Sequence, residues 1–273
     1  MEAGDDERAL ESFTKAVELD AGSRETWRNL AIVHARQGNM EKAVVSYGKA
    51  IELDPKDVAA YMGRADAYGK LGQYEDEIRD YTRVLEIDGQ NAEAYAKRGI
   101  ASLQAGRYAD AIRDYTRFIR LKPDLDWAYV IRGDALVKDG KYRSAVRDYT
   151  RFIKAHPDRA EAYVSRGKAY RKAGNYPKAL ADLSRALELD AGSAAAYTAR
   201  GEAYEEAGDY DKAISDYSEA IRIDPGTAQP YVSRSRLYEI RGRTKLALRD
   251  LKIAAGLGDD RANALLAEKE DRW

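Results

Sequence analysis

The chain has 273 residues, of which 34% are charged, yet the Lys plus Arg and Asp plus Glu totals nearly cancel to a formal net charge of -1. Proteins that bind nucleic acid usually carry a basic excess, because many Lys and Arg side chains are needed to neutralise phosphates, so this balance argues against nucleic acid as a partner. The absence of Cys excludes disulfides, thiolate nucleophiles and Cys-based metal sites.

The N-terminal segment is acidic and lacks the basic start and apolar run of a signal peptide. No apolar stretch approaches the roughly 20 residues that cross a bilayer. We therefore expect a soluble, cytoplasmic protein with no membrane insertion.

Glycine recurs every 34 residues along the whole chain. Each of these glycines follows a helical pattern, at a place where a positive φ is least costly for Gly, so we expect each to end a helix. The series comprises Gly4, Gly38, Gly72, Gly106, Gly140, Gly174, Gly208 and Gly242.

The same period defines a single repeat array over residues 1–273, in which Arg24 is position 1 of the first full repeat. Residues 1–23 form an N-terminal half repeat that contains only a second helix, predicted from Asp6 to Leu19. A C-terminal capping helix occupies residues 262–273. The seven 34-residue repeats between them are 24–57, 58–91, 92–125, 126–159, 160–193, 194–227 and 228–261.

Each repeat is predicted to be a helix, a tight Gly turn and a second helix. Apolar or small residues fall at positions 4, 8 and 11 and again at 20, 24 and 27, which is helical spacing on two successive segments. Proline at position 32 stops the second helix in four repeats, at Pro55, Pro123, Pro157 and Pro225.

The fifth repeat carries the pattern most fully, in the run AEAYVSRGKAY from Ala160 to Tyr170, followed by Gly174, Tyr176 and Ala179. This pattern resembles the tetratricopeptide repeat (TPR) family, and the resemblance covers essentially the whole chain. It implies an all-α fold, an α-solenoid of stacked antiparallel helix pairs. It further implies a right-handed superhelix with the first helix of each pair on the concave face.

Two repeats depart from the pattern. The second has Glu77 where the small Ala is expected, and the seventh has Thr244 in place of Tyr, with Gly256 and Gly258 near its end. We expect looser packing at both places.

The 20 Tyr residues all fall at positions 4, 11, 17 or 24, which are packing positions, so they indicate core rather than a binding surface. Trp127 stands outside this set, at position 2 of the fourth repeat, which the family resemblance places on the concave face. The alternative is that its ring covers the preceding loop near Leu125.

Arginine stands at position 7 and aspartate at position 23 in six repeats, whereas the first repeat has Leu30 and Ser46 there. Because Arg and Asp are either both present or both absent, we predict a structural Arg–carboxylate pair within each of these repeats. The guanidinium fork suits two-point bonding to a carboxylate. The alternative is an arginine ladder that binds phosphate or carboxylate ligands. The predicted pairs are Arg64 with Asp80, Arg98 with Asp114, Arg132 with Asp148, Arg166 with Asp182, Arg200 with Asp216 and Arg234 with Asp250.

Catalytic patterns are missing from the sequence. His34 and His156 lie more than three repeats apart, and no phosphate loop, nucleophile elbow or HExxH motif occurs. We expect a non-enzymatic protein without catalytic residues, cofactor or metal.

The resemblance places positions 2, 5, 9, 12 and 13 of each repeat on the concave face, and these positions change character along the chain. They are apolar in the third and fourth repeats, then basic, then acidic, which predicts a groove for a segment with an apolar anchor, an acidic stretch and basic residues. The alternative is that these charges pair with one another across repeats. The candidate groove residues are Ile100, Leu103, Trp127, Val130, Val137, Lys138, Lys168, Arg171, Lys172, Glu202, Glu205 and Glu206.

We interpret the sequence as that of a scaffold whose groove binds a peptide or protein segment. The alternative is an element that stacks end to end with further copies or repeats. Binding of single-stranded RNA is disfavoured by the 34-residue period and the missing basic excess.

Overall fold

The computed structural model describes the backbone of residues 3–270 and the side chains of residues 7–268, and this part of the chain is entirely helical, without strands. Its sixteen helices are α1 (Ala3–Leu19), α2 (Arg24–Arg36), α3 (Met40–Leu53), α4 (Val58–Lys70), α5 (Tyr74–Ile87), α6 (Ala92–Gln104), α7 (Tyr108–Leu121), α8 (Trp127–Lys138), α9 (Tyr142–Ala155), α10 (Ala160–Lys172), α11 (Tyr176–Leu189), α12 (Ala194–Glu206), α13 (Tyr210–Ile223), α14 (Ala228–Ile240), α15 (Thr244–Gly256) and α16 (Asp260–Glu270).

Capping side chains start several of the first helices. Asp57 Oδ1 accepts the backbone N–H of Ala60 at 3.0 Å, and Asn91 Oδ1 accepts that of Ala94 at 2.9 Å. Such a cap satisfies one of the backbone donors that the first turn leaves without a partner. The first helices therefore begin where the sequence period places them, apart from α8, which begins one residue late, at Trp127.

A positive-φ glycine ends each first helix. At Gly174, with φ of 75°, the N–H of the next residue, Asn175, bonds the carbonyl of Tyr170 at 2.9 Å and closes the helix end. Seven of the eight glycines in the predicted series have positive φ, and Gly258 adds another. The prediction was wrong for Gly4, which lies inside the first turn of α1.

The terminal helices differ from their predicted bounds. Helix α1 begins at Ala3 rather than Asp6, and α16 begins at Asp260 rather than Ala262. The predicted end of the last helix lies outside the described residues. The remaining helices fall in pairs within the predicted repeat boundaries.

The chain forms two compact units, one ending at Asp139 and the other beginning at Gly140. Within each unit, every helix packs against the next one along the chain. Because contacts run mainly between neighbouring helices, the core of each unit is a row of similar layers rather than one centre.

Position 24 supplies the largest core side chains. Tyr81, Tyr115 and Tyr217 are fully buried at this position. Glycine at position 8 makes room for two of them, Gly99 for Tyr115 and Gly201 for Tyr217, since a Cβ on Gly201 would stand 2.7 Å from Cε1 of Tyr217. These tyrosines are therefore packing residues.

An Arg–Asp pair links the two helices of a repeat at two points. In the third repeat, Arg98 Nε and Nη2 donate to the two oxygens of Asp114 at 2.9 and 2.6 Å. The same two-point geometry joins Arg64 with Asp80, Arg166 with Asp182, Arg200 with Asp216 and Arg234 with Asp250. Arg132 belongs to the first unit and Asp148 to the second, and their pairing stays a prediction.

The remaining guanidinium nitrogen reaches the preceding repeat, which the sequence reasoning missed. Arg98 Nη1 donates to Thr82 Oγ1 at 3.0 Å, and Thr82 Oγ1 in turn donates to the carbonyl of Ile78 at 2.7 Å. Equivalent bonds join Arg132 to Thr116, Arg166 to Thr150, Arg200 to Ser184 and Arg234 to Ser218. The sequence did contain a signal for these bonds, since position 25 of each preceding repeat is Thr or Ser.

Aromatic rings flank the same arginines. The guanidinium of Arg64 lies 5.6 Å from the ring centre of Tyr61 and 5.9 Å from that of Tyr68. Tyrosine at positions 4 and 11 thus provides a cation–π surface for arginine at position 7. We call the repeated arrangement of Arg, Asp, hydroxyl and ring the Arg–Asp ladder.

We expect Arg98→Leu to lower the free energy of unfolding by roughly 3 kcal/mol, because Asp114 would keep a charge that is nearly buried and has lost its partner. Adding Asp114→Ser should recover at least half of this loss, as Leu30 and Ser46 occupy these positions in the first repeat. Equilibrium denaturant unfolding of the single and double variants measures both effects.

Arg113→Leu is the matched control, because Arg113 is 76% exposed and its ion pair with Asp110 lies at the surface. Its loss should change the free energy of unfolding by less than about 1 kcal/mol. Strictly additive losses for Arg98→Leu and Asp114→Ser would contradict the predicted coupling.

Candidate functional site

Consecutive first helices meet within each unit: α2 packs on α4 and α10 on α12, Lys97 of α6 pairs with Asp66 of α4, Gln229 of α14 bonds Glu202 of α12, and α6 and α8 pack against the same core cluster. They therefore share one surface, which we call the first-helix face. In the first unit it is formed by α2, α4, α6 and α8, and in the second unit by α10, α12 and α14.

The first-helix face of the first unit exposes two large apolar side chains. Ile100 on α6 is 46% exposed and Trp127 on α8 is 42% exposed. Leu103 is partly buried and packs against the Tyr115 and Phe118 cluster. The other two predicted apolar residues, Val130 and Val137, are half-buried, and Lys138 is exposed.

Trp127 rests on the preceding helix while leaving part of its ring in solvent. Its ring centre lies 5.2 Å from that of Phe118 and 6.5 Å from that of Tyr115, the latter in an edge-on arrangement. Trp127 therefore contributes to the packing of α7 against α8, and its exposed part belongs to the first-helix face.

The repeat period predicts that Ile100 lies beside Trp127. They occupy position 9 of one repeat and position 2 of the next. In the second unit the same two positions hold Glu202 and Gln229, which are hydrogen-bonded at 2.9 Å. Two exposed apolar side chains at adjacent places form a patch, which we call the Ile100–Trp127 patch.

The charged stretches of the second unit are largely engaged with each other. Arg171, only 11% exposed, pairs with Glu202 at 2.7 Å and also with Glu206. Glu205 pairs with Arg236 and accepts the hydroxyl of Tyr217 at 2.8 Å. Of the predicted basic residues, Arg171 therefore pairs with the predicted acidic residues Glu202 and Glu206 across repeats, as in the alternative that the sequence left open.

Lys168 and Lys172 remain exposed, and neither forms an ion pair with a described residue. Lys168 borders a cavity of about 290 Å³ on α10, α12 and α14, whose wall includes the small side chain of Ala195 and the carboxylate of Glu202. This cavity offers one free ammonium group beside an apolar wall.

Glu77 is accommodated by a glycine on the facing helix. It is 9% exposed, and its two carboxylate oxygens lie 2.8 and 2.9 Å from the place where a Cβ on Gly69 would stand. Only glycine at position 12 leaves this space. The larger side chain of Glu77 is therefore accommodated by the missing side chain of Gly69, and the loose packing that we expected at Glu77 is not needed.

The surroundings of Glu77 disfavour its charge. Burial, and then the neighbouring charge of Asp66, raises the pKa of Glu77 to about 7, while Lys97 acts in the opposite direction. Lys97 itself pairs with Asp66 at 2.7 Å and with Glu93 at 3.3 Å. The contact between α4 and α5 thus contains a buried carboxyl group whose pKa lies near neutral pH.

Within the described part of the chain, no group of three or more His, Cys, Asp or Glu residues is arranged to hold a metal ion. No described helix is long and apolar enough to cross a membrane.

The tetratricopeptide repeat profile matches residues 62–126, 132–194 and 164–228, and a second profile described as TPR repeat matches residues 35–72. These ranges cover more than half of the chain. The chain belongs to the tetratricopeptide repeat family, whose members are typically non-enzymatic scaffolds for protein–protein interaction. No significant match is found among curated proteins.

Solved structures of TPR proteins share the fold. YrrB, a TPR protein with an unusual peptide-binding site, is 24% identical, with a TM-score of 0.61 over 69% of this chain and 97% of its own. MamA is 28% identical, with a TM-score of 0.56 over 63% of this chain and 94% of its own. A TPR protein from Parabacteroides merdae is 22% identical, with a TM-score of 0.54 over 90% of this chain and 93% of its own.

We expect Glu77→Ala to stabilise the protein more at pH 8 than at pH 5. The folded-state pKa of about 7 lies above the ordinary value of 4.5, so folding favours the protonated acid, and wild-type stability falls as pH rises between these two values. The stability difference in favour of Glu77→Ala should grow by roughly 2–3 kcal/mol between pH 5 and pH 8. Equilibrium unfolding at both pH values measures it.

Glu86→Ala provides the control, because Glu86 lies on the same helix with its side chain 54% exposed. Its stability difference from wild type should be the same at both pH values. A pH-independent effect of Glu77→Ala would contradict a titrating buried carboxyl.

Proposed function

We propose that this protein is a non-enzymatic scaffold that holds a segment of another protein on its first-helix face. The observation that carries the proposal is the Ile100–Trp127 patch, where side chains 46% and 42% exposed lie on a surface that is otherwise largely polar. Contiguous apolar surface is costly to leave in water, so it often marks an interaction site. The family's typical role supports the same proposal.

The bound segment anchors through an apolar side chain. A partly exposed Trp beside a branched aliphatic side chain offers a contact of the kind that dominates interface energies. Charge pairing within the second unit leaves Arg171, Glu202 and Glu206 less available to a ligand, whereas Lys168 and Lys172 stay free.

We expect Ile100→Lys to weaken binding of a captured partner at least about tenfold, because a charge replaces the centre of the apolar patch. The partner is first captured from a cell lysate by the wild-type protein and identified by mass spectrometry. Calorimetric titration with the purified partner then gives the dissociation constants.

Ile87→Lys is the matched control. Ile87 is 40% exposed, like Ile100, but it is the last residue of α5, which is the second helix of its repeat and does not belong to the first-helix face. It should bind like wild type, and both variants should unfold at nearly the same denaturant concentration. Wild-type affinity of Ile100→Lys would place the binding site elsewhere.

Self-association is the second candidate function, and a different surface favours it. Helices α1, α2 and α3 enclose an apolar groove of about 600 Å³ that includes Val45, 63% exposed, with Glu18 and Glu41 also bordering it. Near the other end of the chain, α15 presents Lys245, Arg249 and Lys252 beside Leu248 and Ile253. Glu18 and Glu41 could pair with these basic residues of a second copy, although Lys42 also borders the groove, and a contact between unlike surfaces of two copies builds rings or open chains.

Stacking of this kind should give a sedimentation coefficient that grows with protein concentration and falls with added salt. We expect Arg249→Glu together with Lys252→Glu to keep the protein monomeric, because like charges would then meet across the contact. A constant monomer mass over the whole concentration range would exclude this second function and leave the scaffold proposal untouched.

A further inference from the structure

Position 11 differs in the third repeat. It holds Tyr in the second, fifth, sixth and seventh repeats, at Tyr68, Tyr170, Tyr204 and Tyr238, and the large side chains of His34 and Leu136 in the first and fourth, whereas the third repeat has the small Ser102. In place of the missing ring, the structure contains a cavity of about 210 Å³ between α5, α6 and α7. Serine at this position therefore leaves an aromatic-sized space inside a repeat that otherwise keeps its pattern.

The lining of this cavity matches the surroundings of a tyrosine. Burial raises the pKa of Tyr68, and the charged groups that act on its phenol belong to Arg64, Asp80, Asp76 and Arg79. The residues 34 positions further along are Arg98, Asp114, Asp110 and Arg113, and all four line the cavity. The walls that face a phenol ring in the second repeat are thus present in the third without the ring.

The inner end of the cavity holds a hydroxyl group without a partner. Ser102 is 1% exposed, and its Oγ is buried with no hydrogen-bond partner among the described residues. Leaving such a group unpaired is costly, and a ligand that bonds it recovers that cost. The side chains at the outer end are more exposed, at 76% for Arg113 and 43% for Arg107, so a ring enters from that side.

Arg98 has room for a second ring. Among described residues its guanidinium faces one aromatic ring, that of Tyr95 at 5.8 Å, whereas Arg200 lies between Tyr197 and Tyr204 at 5.6 and 6.0 Å. A ring in the cavity would give Arg98 the arrangement of Arg64, Arg200 and Arg234, each of which lies against two tyrosine rings.

The charges around the cavity favour a neutral ligand. Arg98 is engaged by Asp114, and Arg107 donates to Asp110 at 2.8 Å and to Glu75 at 3.0 Å. Arg113 also pairs with Asp110. A phosphate or carboxylate would have to displace these carboxylates, whereas an uncharged ring need not.

We propose that this cavity is a binding pocket for a phenol ring, which lies against the Arg98 guanidinium and directs its hydroxyl to Ser102 Oγ. A cavity of this size suits one ring, since an apolar cavity of about 150 Å³ is known to hold benzene. The pocket lies between α5, α6 and α7, away from the Ile100–Trp127 patch, so it does not depend on the proposed scaffold function.

The pocket is tested with 4-methylphenol, the free side-chain analogue of tyrosine, by titrating it into the ¹⁵N-labelled wild-type protein. Amide signals of α5, α6 and α7 should shift in a saturable way, with half-saturation on the order of 1 mM for a ligand of this size. The saturated ring of 4-methylcyclohexanol, which has no π face, should bind several-fold more weakly.

Two substitutions at one position separate the pocket from nonspecific binding. Ser102→Tyr fills the cavity from inside and should abolish the saturable shifts while raising the melting temperature. Ser102→Ala keeps the space but removes the hydroxyl, so binding should weaken about five- to tenfold. Tyr68→Ser should create a second pocket, with new shifts in α4 and α5.

The source of the ring is decided by a capped Gly-Gly-Tyr-Gly-Gly peptide. Equal or tighter binding than that of 4-methylphenol at the same amides assigns the pocket to a tyrosine side chain of a protein segment. Binding of 4-methylphenol alone assigns it to small phenols. Absence of saturable shifts with both probes, or wild-type binding by Ser102→Tyr, overturns the proposal.

Discussion

The guanidinium at position 7 holds this architecture together. Two of its nitrogens bind the carboxylate of the same repeat, as in Arg98 with Asp114, and the third binds a hydroxyl of the preceding repeat, Thr82. One planar group therefore bonds both the second helix of its own repeat and the preceding repeat, whereas α2 and α3 of the first repeat pack together without it. Lysine could not replace it, because a single ammonium group lacks the fixed fork.

The beginning of the ladder shows how its parts depend on each other. The first repeat has Leu30 and Ser46 in place of Arg and Asp, and it also has Gly48 where the second to sixth repeats have Thr or Ser. A Cβ on Gly48 would stand 3.6 Å from Arg64 Nη1, so Gly48 occupies the place of the hydroxyl without supplying one. Without the polar contact, this end of the chain presents an apolar groove instead.

Departures from the repeat pattern produce the unusual groups of this protein, both buried and exposed. Glu77 is buried because Gly69 makes room for it, and the result is a carboxyl group that titrates near neutral pH. Ser102 opens a cavity because it replaces a ring, and Ile100 with Trp127 exposes apolar surface. In a repeat protein each layer tolerates such a change, since its effect on stability stays with its nearest neighbours.

The amino-acid sequence alone was sufficient for the helix pairs, their bounds to within a few residues, the turns at Gly38 to Gly242 and the family. These follow from local periodicity and backbone preference, which repeat without interruption. The sequence also indicated which Arg and Asp positions belong together, because both are missing from the first repeat. It also placed the exposed side chains of Ile100 and Trp127 in a candidate groove, which stays a prediction, and it left open whether the charges pair with one another.

Only the tertiary structure decided how side chains from different repeats share their partners. Arg171 of α10 pairs with Glu202 and Glu206 of α12. One of the predicted basic residues is thus bound to two of the predicted acidic residues, while Lys168 and Lys172 stay unpaired among the described residues. The hydroxyl bonds from position 25 and the cavity at Ser102 emerged in the same way. Each depends on distances of a few ångströms between residues 16 or more positions apart, and a one-dimensional pattern contains no such distances.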